Sequence, residues 1–574
     1  MREKAGCGRS DYCLTKEDVL YLINDDYSLI DSIREVYLME GKKKHKVLVS
    51  DPISEKGIQM LREVAQVDIQ TGLAREELIK IIGEYDALMI RSGTQVTADI
   101  IEAGHNLKVI GRAGVGVDNI DVDKATEMGI LVINAPEGNT ISAAEHTMAL
   151  MLALARNVPN ASASLKEGLW QRSKFMGVEL LKKNLGIIGL GRIGSEVAKR
   201  ARAFGMNVMA YDPYISTDRV EKLGVVSATI DEIFEQADFI TFHAPKTSSK
   251  NYLVGANELS KMKDGVRIIN CARGGLLDEK ALFDAIVSGK VAGAALDVFE
   301  EEPPKENPLL GLEQVITTPH LGASTQEAQV NVAVQVADQI IHVLKGEPVD
   351  MAVNVFVIPQ EVLAEVEPFI PLMKTLGSFY MQVFDGRVEK IEIIYSGEIS
   401  EYPVTPLTTA LLIGFLRVML KSNVNFVNAP VIAKNRGIQV KETRSKTTSI
   451  FHNLITVNVT TGDGVFTLAG TVFEGSDIRI VQIGDYRIEV VPSKYMLVNK
   501  YVDKPGIIGK VGTILGDNNV NIASMQVGRQ EVGGEAVMVL QVDNLVLDPV
   551  IKEVEDIEAI LSTCFVEIKD MFGR

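Results

Sequence analysis

The chain has 574 residues, 46% of them hydrophobic, a length that suggests roughly three to four domains, each with its own core. A formal net charge of −17 argues against nucleic acid or an anionic membrane as principal partner, and it requires any site for an anionic substrate to be locally basic. The four cysteines, Cys7, Cys13, Cys271 and Cys564, are too scattered for a disulfide framework, which points to a reducing, cytoplasmic setting.

Residues 1–44 are charged and lack the apolar run of a secretory signal. Val19 to Met39 has the periodicity of a short amphipathic helix, and Cys7 and Cys13 have no second ligand pair nearby with which to hold a metal. Met39 just precedes the first clear domain, so the extension reads as an upstream start or an appendage and is assigned no function. From Lys46 apolar runs at 46–49, 87–90, 108–110 and 130–133 alternate with helical patterns, as in a parallel sheet covered on both faces. Ligands in such sheets sit beyond the carboxyl ends of the strands. There lie Arg91, Ser92, Gly93 and Thr94 after one strand, and Arg112 to Asn119 after the next. Arginine beside glycine offers guanidinium forks and free N–H groups to a carboxylate or phosphate, although an ordinary turn with an exposed Arg reads the same way.

Ala143 to Val158 is a strongly apolar helical pattern, too short to span a membrane and suited to joining two α/β domains. Arg156 at its end either faces a cleft or caps the helix C-terminus. Leu185 to Ile188 then reads as a buried strand, followed by Gly189, Gly191 and Gly194 in G-x-G-x-x-G spacing, a helix from Ile193 to Phe204, a second strand from Val208, and Asp212 at its end. Strand, glycine turn, helix and acid agree on a dinucleotide site: glycines let the backbone approach a pyrophosphate, the helix N-terminus supplies N–H groups, and Asp212 accepts the ribose hydroxyls. An acid there repels a 2′-phosphate, so NAD is expected rather than NADP.

Further strands are predicted at 238–242, 266–270, 291–296 and 315–317. Polar residues follow three of them in succession: Arg273, then Glu302, then His320. Oxidation of a secondary alcohol needs a base for the hydroxyl proton and a cation for the substrate's carboxylate; His320 suits the first task and Arg273 the second, with Glu302 fixing the imidazole tautomer.

Ser324 to Gly346 is predicted to be a helix returning to the first lobe. Beyond it come a helix from Leu363 to Gln382, an apolar helix from Leu407 to Leu420, and strands at 390–395, 455–459, 465–473 and 486–491. The last domain reads strand, helix, strand, strand, helix, strand, the ferredoxin-like order. Pro505-Gly506 opens its first helix, and Asp548-Pro549 gives an N-cap and first-turn proline to its second.

With these motifs in place the sequence resembles the D-2-hydroxyacid dehydrogenases, in their long form with intervening and ACT domains. The resemblance runs from about Lys46 to the C-terminus and rests on Arg-Ala-Gly-Val-Gly-Val-Asp-Asn at 112–119, Gly-Leu-Gly-Arg-Ile-Gly at 189–194, Asn-Cys-Ala-Arg-Gly-Gly at 270–275, Asp-Val-Phe at 297–299 and Pro-His-Leu-Gly-Ala-Ser-Thr at 319–325. It implies a Rossmann-type cofactor lobe (146–324) inserted in a flavodoxin-like substrate lobe (45–145 and 325–350), both doubly wound parallel sheets. An α+β intervening domain (351–493) and a ferredoxin-like ACT domain (494–574) follow. It also implies NAD-dependent oxidation of a D-2-hydroxy acid, with 3-phosphoglycerate the expected substrate, L-serine a possible effector and a homo-oligomer, dimer or tetramer, the expected assembly. Arg273, Glu302 and His320 carry over as catalytic; Gly189, Gly191, Arg192, Ile193, Gly194, Asp212, Cys271 and Asp297 as cofactor contacts; Arg91, Ser92, Gly93 and Asn119 as substrate contacts. Arg112 and Arg156 are weaker candidates for the phosphate, and Val115 stands where some relatives have Thr. Tyr501, Asp503 and Asn521 match effector positions between paired subunits, or are ordinary turn chemistry. Dehydrogenation of another 2-hydroxy acid, or NAD(H) sensing without catalysis, remain the alternatives.

Overall fold

A computed structural model describes residues 45–245, 252–384, 386–420, 423–447, 450–473 and 477–569. Cys7, Cys13 and the helix predicted from Val19 to Met39 lie outside the described residues. The first lobe is built on five parallel strands, β1 (His45–Val49), β2 (Ala65–Ile69), β3 (Ala87–Ile90), β4 (Val109–Arg112) and β5 (Leu131–Ile133), in the order β2-β1-β3-β4-β5. This is the flavodoxin-like order. The inner strands are buried on both faces, so they read as unbroken apolar runs. β2 was not among the predicted strands: it is an edge strand whose Gln66 and Ile69 are exposed, and Ala-Gln-Val-Asp-Ile carries no continuous apolar signal.

The second lobe has seven parallel strands, β6 (Asn184–Ile188), β7 (Asn207–Tyr211), β8 (Val226–Ser227), β9 (Phe239–Phe242), β10 (Val266–Asn270), β11 (Val291–Leu296) and β12 (Val315–Thr317), ordered β12-β11-β10-β9-β6-β7-β8. The order reverses between β6 and β9, the crevice where a doubly wound sheet takes its ligand. Four helices set the relation of the lobes: α1 (Glu55–Val64), α2 (Thr140–Arg156), α3 (Arg192–Ala203) and α4 (Gln326–Lys345). α2 packs on α3 and on β10, β11 and β12, burying Ala144, Met148, Met151 and Leu154 against Leu185 and Ile187. α4 crosses back to α1, where Val332, Val336 and Ile340 share a core with Val47, Val49 and Met89. Where the two crossings meet, Ser142 and Thr325 hydrogen-bond at 2.7 Å. Past α4 the chain runs beside the edge strand β5: Val353 N–H donates to the Val132 carbonyl, and Asn354 accepts from Val132 N–H and donates to the Ile130 carbonyl, all at 2.8–2.9 Å.

The next sheet comprises β13 (Val388–Gly397), β14 (Gln439–Ser445), β15 (Asn453–Thr461), β16 (Gly464–Phe473), β17 (Asp477–Ile483) and β18 (Tyr486–Val490), in the order β14-β13-β15-β16-β17-β18. Helices α5 (Phe369–Val383) and α6 (Thr405–Met419) supply buried side chains to its core. The single helix expected from Leu363 to Gln382 is two, Gln360–Val366 and α5, interrupted at Pro368, whose ring and missing N–H break the ladder. Asn425 ties this domain to the first lobe by donating to the Gly129 carbonyl at 2.8 Å.

The last sheet, β19 (Tyr495–Val502), β20 (Ile522–Arg529), β21 (Glu535–Val542) and β22 (Ile560–Glu567), is antiparallel in the order β20-β21-β19-β22, with α7 (Ile507–Asp517) and α8 (Asp548–Glu555) on one face. Leu497, Tyr501 and Leu540 face those helices, whereas Met496, Val498, Val539 and Val566 belong to the core of the preceding domain. At α8 the N-cap is Leu547 rather than Asp548, which sits with Pro549 in the first turn.

Candidate active site

The glycine turn after β6 has the geometry its spacing requires. Gly189 lies at φ +96°, and a Cβ there would stand 2.6 Å from the His243 carbonyl; a Cβ on Gly194 would meet the Gly189 carbonyl at 2.1 Å. Gly191 is the N-cap of α3 and faces open space, so the helix N-terminus is accessible. Asp212 at the end of β7 accepts from Leu190 N–H at 2.8 Å and Tyr214 N–H at 2.9 Å, which aims its carboxylate at the turn. Arg192 pairs with Glu137 at 3.1 Å, Ile193 packs into the core of the lobe, and the buried Thr140 hydroxyl has no partner among the described residues. Thr140, Arg192 and Ser195 line a cavity of about 500 Å³ beside the turn. An open helix terminus, an orphaned hydroxyl and an acid that pairs with no cation among the described residues fit NAD.

Glu302 and His320 meet beyond β11 and β12. Nδ1 of His320 lies 2.7 Å from one Glu302 oxygen, and the other oxygen accepts from Phe299 N–H at 3.1 Å. A carboxylate partner holds the proton on Nδ1 and leaves the Nε2 lone pair outward. His320 has φ +54°, an unusual conformation for a residue with a side chain. Its loop is fixed by Asp297, expected as a cofactor contact. Asp297 is fully buried and accepts from the Thr318 hydroxyl at 2.6 Å, Leu321 N–H at 2.7 Å and Gly322 N–H at 2.8 Å, while its carbonyl accepts His320 N–H at 3.0 Å. His146 of α2 approaches the same carboxylate at 3.1 Å. Burial works against ionisation of Asp297, but the bonds from His146, Thr318 and Leu321 outweigh it and hold the carboxyl below the usual range. Cys271, after β10, hydrogen-bonds with Thr147 of α2, and burial pushes its thiol up to about 12.

Arg273 reaches across to the first lobe, where its Nε pairs with Asp118 at 3.2 Å. Arg112 sits close enough to feel both Arg273 and Arg91; burial first, then these two cations, lowers its pKa. Three guanidiniums thus converge in a protein of net charge −17, making the locally basic site its acidity demanded. Ser92 and Gly93 are exposed beside them. Asn119, expected to touch substrate, joins the two loops: it donates to the Arg91 and Thr94 carbonyls at 2.7 and 2.6 Å and accepts from Arg112 Nε at 2.8 Å. Arg156 is exposed in the last turn of α2.

The three effector candidates do not come together within one chain. Tyr501 is buried in its own domain with a hydroxyl unpartnered among the described residues, Asp503 pairs with Arg529 at 2.8 Å, and Asn521 donates to Asp543 at 2.6 Å. Asp503 pairs with the far end of β20, and Asn521 precedes its start, so the length of that strand, about 25 Å at the usual rise, separates them.

Asp51, His146 and Asp118 were not predicted. Asp51, nearly buried, accepts Arg91 and Thr94 N–H at 2.6 and 3.1 Å and so shapes the 91–94 loop. Its signal was an acid at the carboxyl end of β1, the position already inspected after the other strands.

The family model described as D-isomer specific 2-hydroxyacid dehydrogenase, NAD binding domain, matches residues 148–322. The D-3-phosphoglycerate dehydrogenase intervening domain matches 365–484, and the ACT domain 496–559. D-3-phosphoglycerate dehydrogenase of Methanocaldococcus jannaschii is 48% identical over 524 residues, covering 91% of this chain and 100% of the relative. That of Bacillus subtilis is 46% identical over 524 residues, covering 91% and 99%. Among solved structures, a glyoxylate reductase from Paecilomyes thermophila, 33% identical, superposes with a TM-score of 0.51 over 54% of this chain and 99% of its own.

Proposed function

Because the chain belongs to the D-3-phosphoglycerate dehydrogenases, we propose that it oxidises 3-phosphoglycerate to 3-phosphohydroxypyruvate with His320 as general base. The observation that carries the assignment of the base is the 2.7 Å Glu302–His320 pair at the ends of adjacent strands of the NAD-binding sheet. Nε2 of His320 takes the hydroxyl proton, and Glu302 stabilises the imidazolium that forms. Arg273 holds the substrate carboxylate and polarises the C2 oxygen, while Arg91, Arg112 and Ser92 hold the phosphate. The glycine turn, Arg192 and Asp212 seat NAD, which when bound supplies the hydride acceptor. The enzyme reads as a cytoplasmic step of serine synthesis.

The assembly is a homo-oligomer. Trp170, the chain's single tryptophan, is 76% exposed and Met176 82% exposed, within a strip of sequence, 158–181, that also exposes Val158, Leu165, Leu169 and Leu181; a second copy would cover these side chains. An effector contacted by both Asp503 and Asn521 also requires two chains, and L-serine is the effector proposed. The test is NADH formation from 3-phosphoglycerate, lactate and glycerate, with and without serine. Phosphorylated substrate should be strongly preferred and serine should slow turnover. His320→Ala should cost about 10²–10⁴-fold in kcat with NADH affinity retained; near-normal turnover would sink the assignment.

A further inference from the structure

His146 is not among the residues assigned a role above. It projects from α2, the helix that joins the two lobes, and its side chain is 18% exposed. Its Nε2 stands 3.1 Å from Asp297 Oδ1 and 3.2 Å from Thr318 Oγ1. Asp297 is the hub of the 318–322 loop: its two side-chain oxygens accept three bonds from that loop, and its carbonyl accepts the backbone N–H of His320. His320 lies at a positive φ that a side chain disfavours, so surrounding contacts must hold it there. The loop's bonds to Asp297 are all local in the second lobe. The one from His146 comes from another element, and it connects the loop to the helix whose start is tied to Thr325.

We propose that His146 is a positioning residue for His320, acting through Asp297. The Nε2–H of His146 donates to Thr318 Oγ1, whose hydroxyl in turn donates to Asp297 Oδ1, and the same ring nitrogen stands 3.1 Å from that carboxylate oxygen, so the imidazole fixes which way the oxygens face in a fully buried site. The loop then presents the His320 ring to Glu302 on one side and to substrate on the other. A neutral imidazole is sufficient for this, since only one N–H is required. This inference rests on the reading of His320 as base.

The test compares His146→Leu and His146→Gln in the full-length enzyme. Loss of the N–H should lower kcat about 10–100-fold, as small misplacements of a reacting group do, with the KM for 3-phosphoglycerate and the Kd for NADH changed less than about threefold. Gln carries an N–H at a similar reach and should restore kcat to within about threefold of the parent. A Leu variant with parental kcat overturns the proposal. So does a Gln variant as slow as Leu, or an equal loss of NADH affinity in both, which would mark a general packing role. If the Leu variant lacks a cooperative thermal transition, Thr318→Val takes its place, and parental kcat there also overturns the proposal. His320→Ala separates the two levels. Normal turnover in it removes the reading of the base, whereas collapse in it beside a normal His146→Leu removes only the role of His146.

Discussion

Asp118 occupies Arg273 where a substrate carboxylate would bind, and it does so from the opposite lobe at 3.2 Å. Its side chain is 70% exposed, and exposed ion pairs are worth about 0–1 kcal/mol. Substrate binding must displace it, so Asp118→Asn should lower the KM for 3-phosphoglycerate by no more than about fivefold and leave kcat unchanged. Steady-state kinetics checks this, and a raised KM would show that Asp118 helps to hold substrate. The legibility of the site follows from the same residues. Arg273, Glu302 and His320 were readable because three chemically distinct groups follow three successive strands. Asp51, Asp118 and His146 were not, because a lone acid at a turn reads as solvated and a histidine inside an apolar helix reads as packed. Their partners lie between 40 and 172 positions away in the chain. Asn119 and Asp297 were legible as polar residues at strand ends, but their hold on the loops was not, because a polar residue that shapes a loop carries the same sequence signal as one that touches a ligand.

Strands buried on both faces were found to within a residue or two, as at Val266–Asn270 and Val291–Leu296. The missed strands are β2, β8, β14 and β17. Gln-Val-Lys-Glu-Thr-Arg-Ser in β14 is an exposed edge whose charges deter pairing with another chain, and β8 spans only two residues. Asn157, at φ +51°, ends α2 and starts the helix Val158–Lys166, whose Val158 and Leu165 begin the exposed apolar strip. On the proposed assembly, this helix is part of the interface. Trp170→Glu places a charge in the strip's most exposed large ring, and burying that charge in an interface is costly. Sedimentation should then find smaller species than in the parent at equal concentration; an unchanged distribution would locate the interface elsewhere.

The ACT-type sheet has two covered faces, one by its own helices and one by the core of the domain before it. Met496, with no exposed surface, sits in that shared core, so the two domains should lose structure together. Met496→Ala should cost about 2–5 kcal/mol and speed amide hydrogen exchange in β13 and β15 as well as in β19 and β21. Faster exchange confined to β19 and β21 would mean the domains open independently. Asn425 then ties the preceding domain to Gly129 in the first lobe. The return of the chain past β5 bears on synthesis. β1 to β5 are made first, yet their sheet lacks α4 on one face and Val353-Asn354 along its open edge until about 220 further residues have been translated. At about 5–20 residues per second this is a delay of roughly 10–45 s, in which the nascent first lobe exposes Val47, Val49 and Met89. Ribosome-bound chains ending before residue 326 should accordingly recruit chaperones that release once the segment through Asn354 has emerged.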